Sequence, residues 1–129
     1  MIKNEKKYIL NAFIINFVLG GLLVTIGFLL GKGTFYLGID YNYQQVLFNI
    51  LAKKSILDGN IFWLDNFDIG TSFIGALAFY GIGSPFFWVT MLIPGTDYGI
   101  IVPVMLVFKL AVAGTSAYCY IKQCNTMLQ

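Results

Sequence analysis

Two long stretches of the chain are apolar enough to cross a membrane. Residues 8–30 carry no charge over 23 positions. As a helix they would be about 34 Å long, which exceeds the hydrocarbon core of a bilayer. Residues 98–121 form the second stretch, in which Lys109 is the only charged residue and lies near the centre. The pattern therefore predicts transmembrane helices at about 8–30 and 98–121.

Between these stretches, residues 41–57 show the spacing of an amphipathic helix. The apolar side holds Tyr43, Val46, Leu47, Ile50, Leu51 and Leu57, and the other side holds Asn42, Gln45, Asn49 and Lys53. A helix of this kind that follows a membrane span is expected to lie flat in the interface. The sequence Asp58-Gly59-Asn60 then predicts a turn.

Residues 72–93 are uncharged over 22 positions, but Gly81, Gly83, Ser84 and Pro85 interrupt their middle. Proline removes a helical hydrogen bond and clashes with the preceding turn. Each half would be only about 15 Å long as a helix. We therefore expect two short juxtamembrane helices, at about 72–81 and 84–93. A third span across this region is the alternative.

The distribution of lysines predicts the topology. Lys3, Lys6 and Lys7 favour a cytoplasmic N-terminus. Residues 31–97 then form the first extracytoplasmic loop, and Lys122 returns to the cytoplasm if 72–93 does not cross. The orientation is not fully consistent with this rule, because Lys32, Lys53 and Lys54 then lie in the extracytoplasmic loop. The predicted fold is an all-α integral membrane protein with one membrane segment, residues 1–129.

The composition supports this class and excludes others. Hydrophobic residues make up 58% of the chain and charged residues 11%, against roughly 25% charged in soluble domains. Mean hydropathy is +0.78. A net charge of +2 without arginine argues against nucleic-acid binding. The absence of histidine excludes a Ser-His-Asp triad and a histidine metal site.

Asp40 and Lys109 are the first candidates for chemistry. Asp40 precedes the amphipathic helix, where it can serve as an N-cap, as a general base, or as both. Lys109 is costly at mid-membrane, so it should face a partner or a water-filled cavity. It can snorkel or pair with a carboxylate elsewhere, or it can stabilise the phosphate of a lipid-linked substrate.

An aromatic and acidic stretch supplies a second set of candidates. Trp63, Asp65 and Asp68 lie in a solvated interfacial loop or beside a sugar that stacks on the aromatic ring. Gln44 and Gln45 could hydrogen-bond a sugar or orient Asp40. No metal site is predicted; a divalent cation would need several converging oxygens, which the sequence does not reveal.

The order of these motifs resembles the N-terminal part of the YfhO family of bacterial membrane proteins. After a basic N-terminus and one span, the chain has the motifs GIDYNYQQ (38–45), LDGN (57–60), DIGTSF (68–73), SPFF (84–87), FKL (108–110) and AG (113–114). The resemblance covers essentially all 129 residues. YfhO proteins resemble GT-C-type glycosyltransferases implicated in decorating lipoteichoic or teichoic acids.

The resemblance implies a function and a location. GT-C enzymes transfer sugar from a polyprenyl-phosphate donor at the outer face of the plasma membrane, here to a teichoic-acid-type acceptor. Asp40 matches the loop carboxylate that acts as catalytic base, with inversion at the anomeric carbon and no cofactor. Lys109 matches the family pattern without an assigned role. The expected substrate-binding residues are Lys109, Gln44, Gln45, Asp68 and Trp63.

The length of the chain, 129 residues, limits the function that can be expected of it alone. Family members are several times longer, so the chain looks like an N-terminal fragment whose partners are the bilayer and the remaining helices of the full-length protein. On its own it is expected to be inactive. The alternatives are a small non-enzymatic membrane subunit and a segment of a sugar-lipid transporter.

Overall fold

A computed structural model describes residues 2–38, 40–65, 67, 69–94 and 97–127. It contains five α-helices: α1 (Ile2–Leu30), α2 (Leu47–Leu57), α3 (Phe73–Leu77), α4 (Pro85–Met91) and α5 (Tyr98–Met127). Two π-helical segments adjoin them, Asp40–Val46 before α2 and Ala78–Ile82 after α3. Strands β1 (Trp63–Leu64) and β2 (Thr71–Ser72) form one antiparallel pair.

The helix pair, α1 with α5, carries the two predicted spans. Glu5–Leu30 and Tyr98–Asn125 are both long and apolar enough to cross a membrane, which confirms the prediction of two membrane helices. Most of their large apolar side chains face outward. Such an exterior suits lipid, because the acyl chains are as apolar as the side chains themselves.

The two long helices run antiparallel. At one end Lys122 Nζ lies 3.1 Å from Glu5 Oε1. Near the middle, the Phe17 and Phe108 rings meet edge to face with centroids 5.2 Å apart. Because low numbers in α1 pair with high numbers in α5, residues 31–97 begin and end at the same end of the helix pair.

We call residues 31–97 the loop module, and it has its own hydrophobic core. Five buried side chains form that core: Ala52, Leu64, Phe73, Leu77 and Phe87. They come from α2, β1, α3 and α4, so the short elements of the module pack around one centre. None of these helices is long enough to be stable alone in water, and the shared core stabilises them.

The interruption predicted in the middle of residues 72–93 is present. The helical stretch Phe73–Ile82 meets α4 at an angle of 96°. Pro85 is the first residue of α4, where its missing N–H costs no hydrogen bond. Proline therefore starts a new helix here in a new direction.

The side of α2 that carries its polar residues is the buried one. Asn49, Lys53 and Ser55 are buried together with Ala52. On the opposite side, Leu47 and Leu57 are 52% and 69% exposed. Lys53 turns inward because it finds carbonyl partners at the end of α4, and Asn49 bonds to the Gln45 carbonyl of its own helical stretch. Of the apolar set, Leu51 packs against the core, while Leu47 and Leu57 stay outside.

The β1–β2 pair is a feature that an all-α prediction lacks. Trp63 pairs with Ser72, and Leu64 pairs with Thr71. Gly70 has φ +94°, and a Cβ there would meet Trp63 Nε1 at 3.1 Å. The chain needs glycine at this position, because the backbone is left-handed and the indole ring packs directly against it.

Candidate functional site

Asp40 is exposed at the first position of the π-helical segment. Its carboxylate makes no hydrogen bond to any other residue that the structure describes, so no capping bond ties it down. Gln44 follows it by one helical turn and is also exposed. Residues spaced by four on a helix lie on the same face, so Asp40 and Gln44 present a carboxylate and an amide side by side.

Gln45 points the other way and has a structural contact. Its side-chain amide donates a hydrogen bond to the carbonyl of Tyr80. The Tyr80 ring packs edge to face on Phe48, with centroids 4.4 Å apart. Gln45 therefore attaches the π-helical segment to the Ala78–Ile82 segment, and this contact separates it from the exposed pair Asp40 and Gln44.

A cavity of about 300 Å³ opens beside this segment, at the loop end of the helix pair. We call it the Tyr41 cavity; Phe28, Gly33, Thr34, Phe35, Tyr41, Asn42, Val46, Asp97, Gly99, Ile100 and Pro103 line it. Both long helices contribute to its wall. The two residues that follow Asp40 in the chain do so as well.

Asn42 and Tyr41 shape this cavity in different ways. Asn42 donates a hydrogen bond to the Phe35 carbonyl at 2.7 Å and accepts one from the Leu37 N–H at 3.0 Å. These bonds fix the turn between α1 and the π-helical segment. Burial raises the pKa of the Tyr41 hydroxyl far above its usual range. Tyr41 therefore keeps its proton and can act as a hydrogen-bond donor only when a partner enters.

Lys53 joins α2 to the end of α4. Its ammonium donates to the Ile93 carbonyl at 2.8 Å and to the Thr90 carbonyl at 3.3 Å. It also lies 5.4 Å from the centre of the Tyr98 ring. The last carbonyls of a helix lack partners and carry partial negative charge, so a cation stabilises them. Lys53 thus connects α2, α4 and the start of α5.

Lys109 has an aromatic neighbour inside the chain. Its ammonium lies 5.9 Å from the centre of the Phe86 ring, which belongs to α4. A cation over an aromatic face is attracted by the negative charge of the ring. The ring of Phe86 is thus a partner that Lys109 faces within the chain. The role of Lys109 toward a substrate phosphate stays a prediction.

Trp63 lies at a second, smaller cavity of about 190 Å³. We call it the Trp63 cavity; Leu51, Lys54, Ser55, Asp58, Asn60, Trp63, Leu64, Asp65 and Phe67 line it. Trp63 is 55% exposed, and Asp65 is exposed as well. The aromatic ring and the carboxylate that the sequence suggested for a sugar therefore share one cavity. Asp68 lies outside the described residues.

The structure does not bring all predicted site residues together. Asp40 and Gln44 lie at the beginning of the helical stretch that ends at Leu57. At the rise of a helix, that stretch separates its two ends by roughly 20–25 Å. Trp63 and Asp65 lie beside the far end. Asp40 and Trp63 therefore lie toward opposite ends of this stretch and do not form one compact cluster.

Metal binding has no support in the described part of the chain. It contains no group of three or more Cys, Asp or Glu side chains placed to hold an ion. Cys119 and Cys124 are both free thiols on α5. The charged groups of the site are therefore carboxylates and lysines.

Sequence reasoning did not identify Lys53, Asp97 or Tyr98 as important. Lys53 looked like one residue of a polar helix face, and its partners follow it by 37 and 40 positions. Asp97 directly precedes α5, where its carbonyl accepts from the N–H groups of Ile100 and Ile101. A carboxylate just before a long apolar helix is a recognisable signal, since negative charge is favoured at a helix N-terminus.

These features define a helical membrane protein in which two antiparallel helices carry a folded loop module. The chain belongs to a family described as bacterial membrane protein YfhO, whose model matches residues 11–129. No curated protein and no solved structure matches the chain. Family membership therefore comes from the sequence pattern, and the architecture comes from the structure.

Proposed function

We propose that this protein forms the first membrane segment of a sugar transferase that uses a polyprenyl-phosphate sugar as donor. The acceptor is a hydroxyl group of a cell-envelope polymer of the teichoic-acid type. Asp40 is the general base, and Gln44 hydrogen-bonds the sugar or the acceptor beside it. The remaining helices of a longer family member complete the site.

The position of Asp40 is the observation that carries the proposal. Its carboxylate is exposed, and the next two residues, Tyr41 and Asn42, line the cavity at the loop end of both membrane helices. A base must reach the proton that it takes, and this carboxylate is exposed at the loop end of the helix pair.

The antiparallel helix pair supports the topology that the reaction needs. If α1 and α5 both span the bilayer, the chain between them must start and end on one side. The bent stretch Phe73–Met91 then folds back without crossing. This arrangement favours a loop module on the outer face, with Lys6, Lys7 and Lys122 on the cytoplasmic side.

The proposed step is a single displacement. The Asp40 carboxylate takes the proton of an acceptor hydroxyl, and the acceptor oxygen attacks the anomeric carbon from the face opposite the leaving group. The new C–O bond forms as the bond to the polyprenyl-phosphate oxygen breaks, so configuration inverts. The phosphate departs with the electron pair, and Lys109 is the candidate cation that compensates its charge.

Asp40→Asn in the product of the complete native gene tests this proposal. We expect transfer of labelled sugar from a polyprenyl-phosphate donor to fall at least about 100-fold, because the amide cannot accept the proton. Membrane insertion should be unchanged. Glu5→Gln is the matched control, since it also converts an acid to an amide but lies at the opposite end of the helix pair.

Two other outcomes would contradict the proposal that the protein is part of a sugar transferase. Sugar transfer that persists in Asp40→Asn would point to a non-enzymatic subunit whose loop Asp has no chemical role. Lipid-linked sugar transport that tolerates Asp40→Asn but stops in Lys109→Leu would point to a transporter segment. Each result would reject Asp40 as the base and assign a different function to the same chain.

A further inference from the structure

A large apolar cavity lies between α2, α4 and the first residue of α5. Its volume is about 440 Å³, which falls within the roughly 300–1,000 Å³ typical of small-molecule sites. Its wall consists of Ile50, Lys53, Lys54, Leu57, Asp58, Met91, Ile93, Pro94 and Tyr98. Six of these nine residues are aliphatic or aromatic, so the cavity suits a hydrocarbon chain.

The apolar cavity adjoins the Trp63 cavity. Lys54 and Asp58 line both of them, so the two spaces meet at one turn near the end of α2. The Trp63 cavity adds an amide, carboxylates and an indole ring, in Asn60, Asp65 and Trp63. An apolar space, the turn with Lys54 and Asp58, and a polar space therefore follow one another.

Exposed apolar side chains adjoin the apolar cavity. Leu57, in its wall, is 69% exposed, and Leu92, beside it, is 83% exposed. Tyr98, also in the wall, is the first residue of the membrane helix α5 and is only 2% exposed.

We propose that the two adjoining cavities form one binding site for a membrane lipid that bears a phosphate and a hydroxylated head group. The hydrocarbon chain occupies the apolar cavity. Lys54 pairs with the phosphate, because a lysine ammonium and a phosphate form a charge-assisted hydrogen bond. Asn60 and Asp65 bind the head-group hydroxyls, and the half-exposed face of Trp63 covers them.

This site does not include Asp40, the base of the proposed transferase reaction. It lies at the end of the Asp40–Leu57 helical stretch that is remote from Asp40. Two lipids have the required chemistry: a phospholipid with a glycerol head group, and a polyprenyl phosphate that carries a sugar. A lipid with a choline head group has the phosphate but lacks the hydroxyls.

Photolabelling in nanodiscs tests the proposal. The protein is reconstituted with phosphatidylglycerol or phosphatidylcholine that carries a diazirine in the acyl chain, and labelled peptides are mapped by mass spectrometry. A glycosylated polyprenyl phosphate is added as competitor in a third arm. We expect phosphatidylglycerol to label α2 and α4 at the apolar cavity, and phosphatidylcholine to label them about tenfold less.

Three variants sharpen the result. Lys54→Gln should reduce the specific label about tenfold, since the exposed side chain loses its charge without disturbing the core. Lys32→Gln is the matched control, because Lys32 is an exposed lysine outside both cavities, and it should label like the wild type. Ile50→Trp should abolish the label by filling the cavity.

The outcomes separate the two lipids and the two proposals. Displacement of the label by the glycosylated polyprenyl phosphate assigns the site to a lipid-linked sugar, and its persistence assigns the site to bilayer phospholipid; both support the inference. Equal labelling by both phospholipids and in Lys54→Gln would overturn it. Asp40→Asn should label normally, so loss of sugar transfer and loss of lipid binding are distinguishable.

Discussion

The helix pair and the loop module differ in what lies inside them. In the helix pair, glycine and small or medium-sized apolar residues face the partner helix, as Gly20, Val107 and Ala111 do. Most large apolar side chains face outward, with the Phe17–Phe108 contact as an exception. In the loop module, aromatic rings and leucines form a core of the kind found in water-soluble domains. Lipid removes the hydrophobic drive to bring apolar helices together, so close backbone approach must replace it.

The polar contacts differ in the same way. The loop module buries Asn49, Lys53, Ser55 and Thr90. Lys53 reaches the end of another helix. In the helix pair, Asn16 lies against Gly114 and donates to Ala12 of its own helix at 2.8 Å. Lys53 and Gln45 therefore tie the loop module together over 35 to 40 positions, whereas small residues set the approach of the helix pair. This contrast predicts which substitutions destabilise each region.

The largest effect is expected in the core of the loop module. Phe87→Ala should lower the free energy of unfolding by about 3–5 kcal/mol, because Phe87 is only 2% exposed and its loss leaves a cavity. Denaturant titration in micelles, followed by the fluorescence of Trp63 and Trp88, measures this value. Phe79→Ala is the control, since Phe79 is 92% exposed. Equal losses in both variants would argue against a separate core.

A smaller effect is expected when the buried lysine is replaced. Lys53→Met keeps an apolar chain of similar length but leaves the Ile93 carbonyl without its ammonium donor, whereas the Thr90 carbonyl keeps the Ile93 N–H. An unpaired buried carbonyl costs about 1–3 kcal/mol. The same titration measures the loss, and amide hydrogen exchange should rise in α4. Lys32→Met should change neither value; a loss of the same size there would show a general charge effect.

The helix pair should respond to a single methyl group. A Cβ at Gly114 would clash with the side-chain amide of Asn16, so Gly114→Ala should weaken the pairing by roughly 1–2 kcal/mol. Disulfide cross-linking between cysteines placed at residues 5 and 122 reports the pairing. The double variant with Asn16→Ala should restore it. Gly21→Ala, where a Cβ meets nothing within 4 Å, is the control and should leave cross-linking unchanged.

The smallest effect is expected at the ion pair that joins the ends of the long helices. Glu5 and Lys122 are 54% and 39% exposed, so their interaction is screened by water and salt. Lys122→Gln should reduce pairing of α1 and α5 by less than about 1 kcal/mol. Energy transfer between dyes at the helix ends measures this, and high salt should reproduce the effect in the wild type. A larger loss would show that this end of the helix pair is buried against another surface.

The candidate site was only partly predictable. Asp40 and Gln44 could be placed together because four positions along a helix bring side chains to one face. Gln45 could not be separated from them, since its partner at Tyr80 is 35 positions away. Trp63 and Asp65 share a cavity, as their nearness in sequence suggested. Their distance from Asp40 became visible only when α2 was seen to separate them.

By itself, the sequence determined the properties that depend on composition along one segment. It predicted the two membrane helices, because the free energy of transferring a helix into lipid is the sum of the contributions of about 20 consecutive apolar residues. It also predicted the break near Pro85, because proline acts on its own turn. Tertiary structure alone decided which side of α2 is buried and which carbonyl groups Lys53 binds. It also decided that Lys54 and Asp58 line two adjoining cavities. These depend on pairs distant in the chain, whose energies arise only after the elements meet.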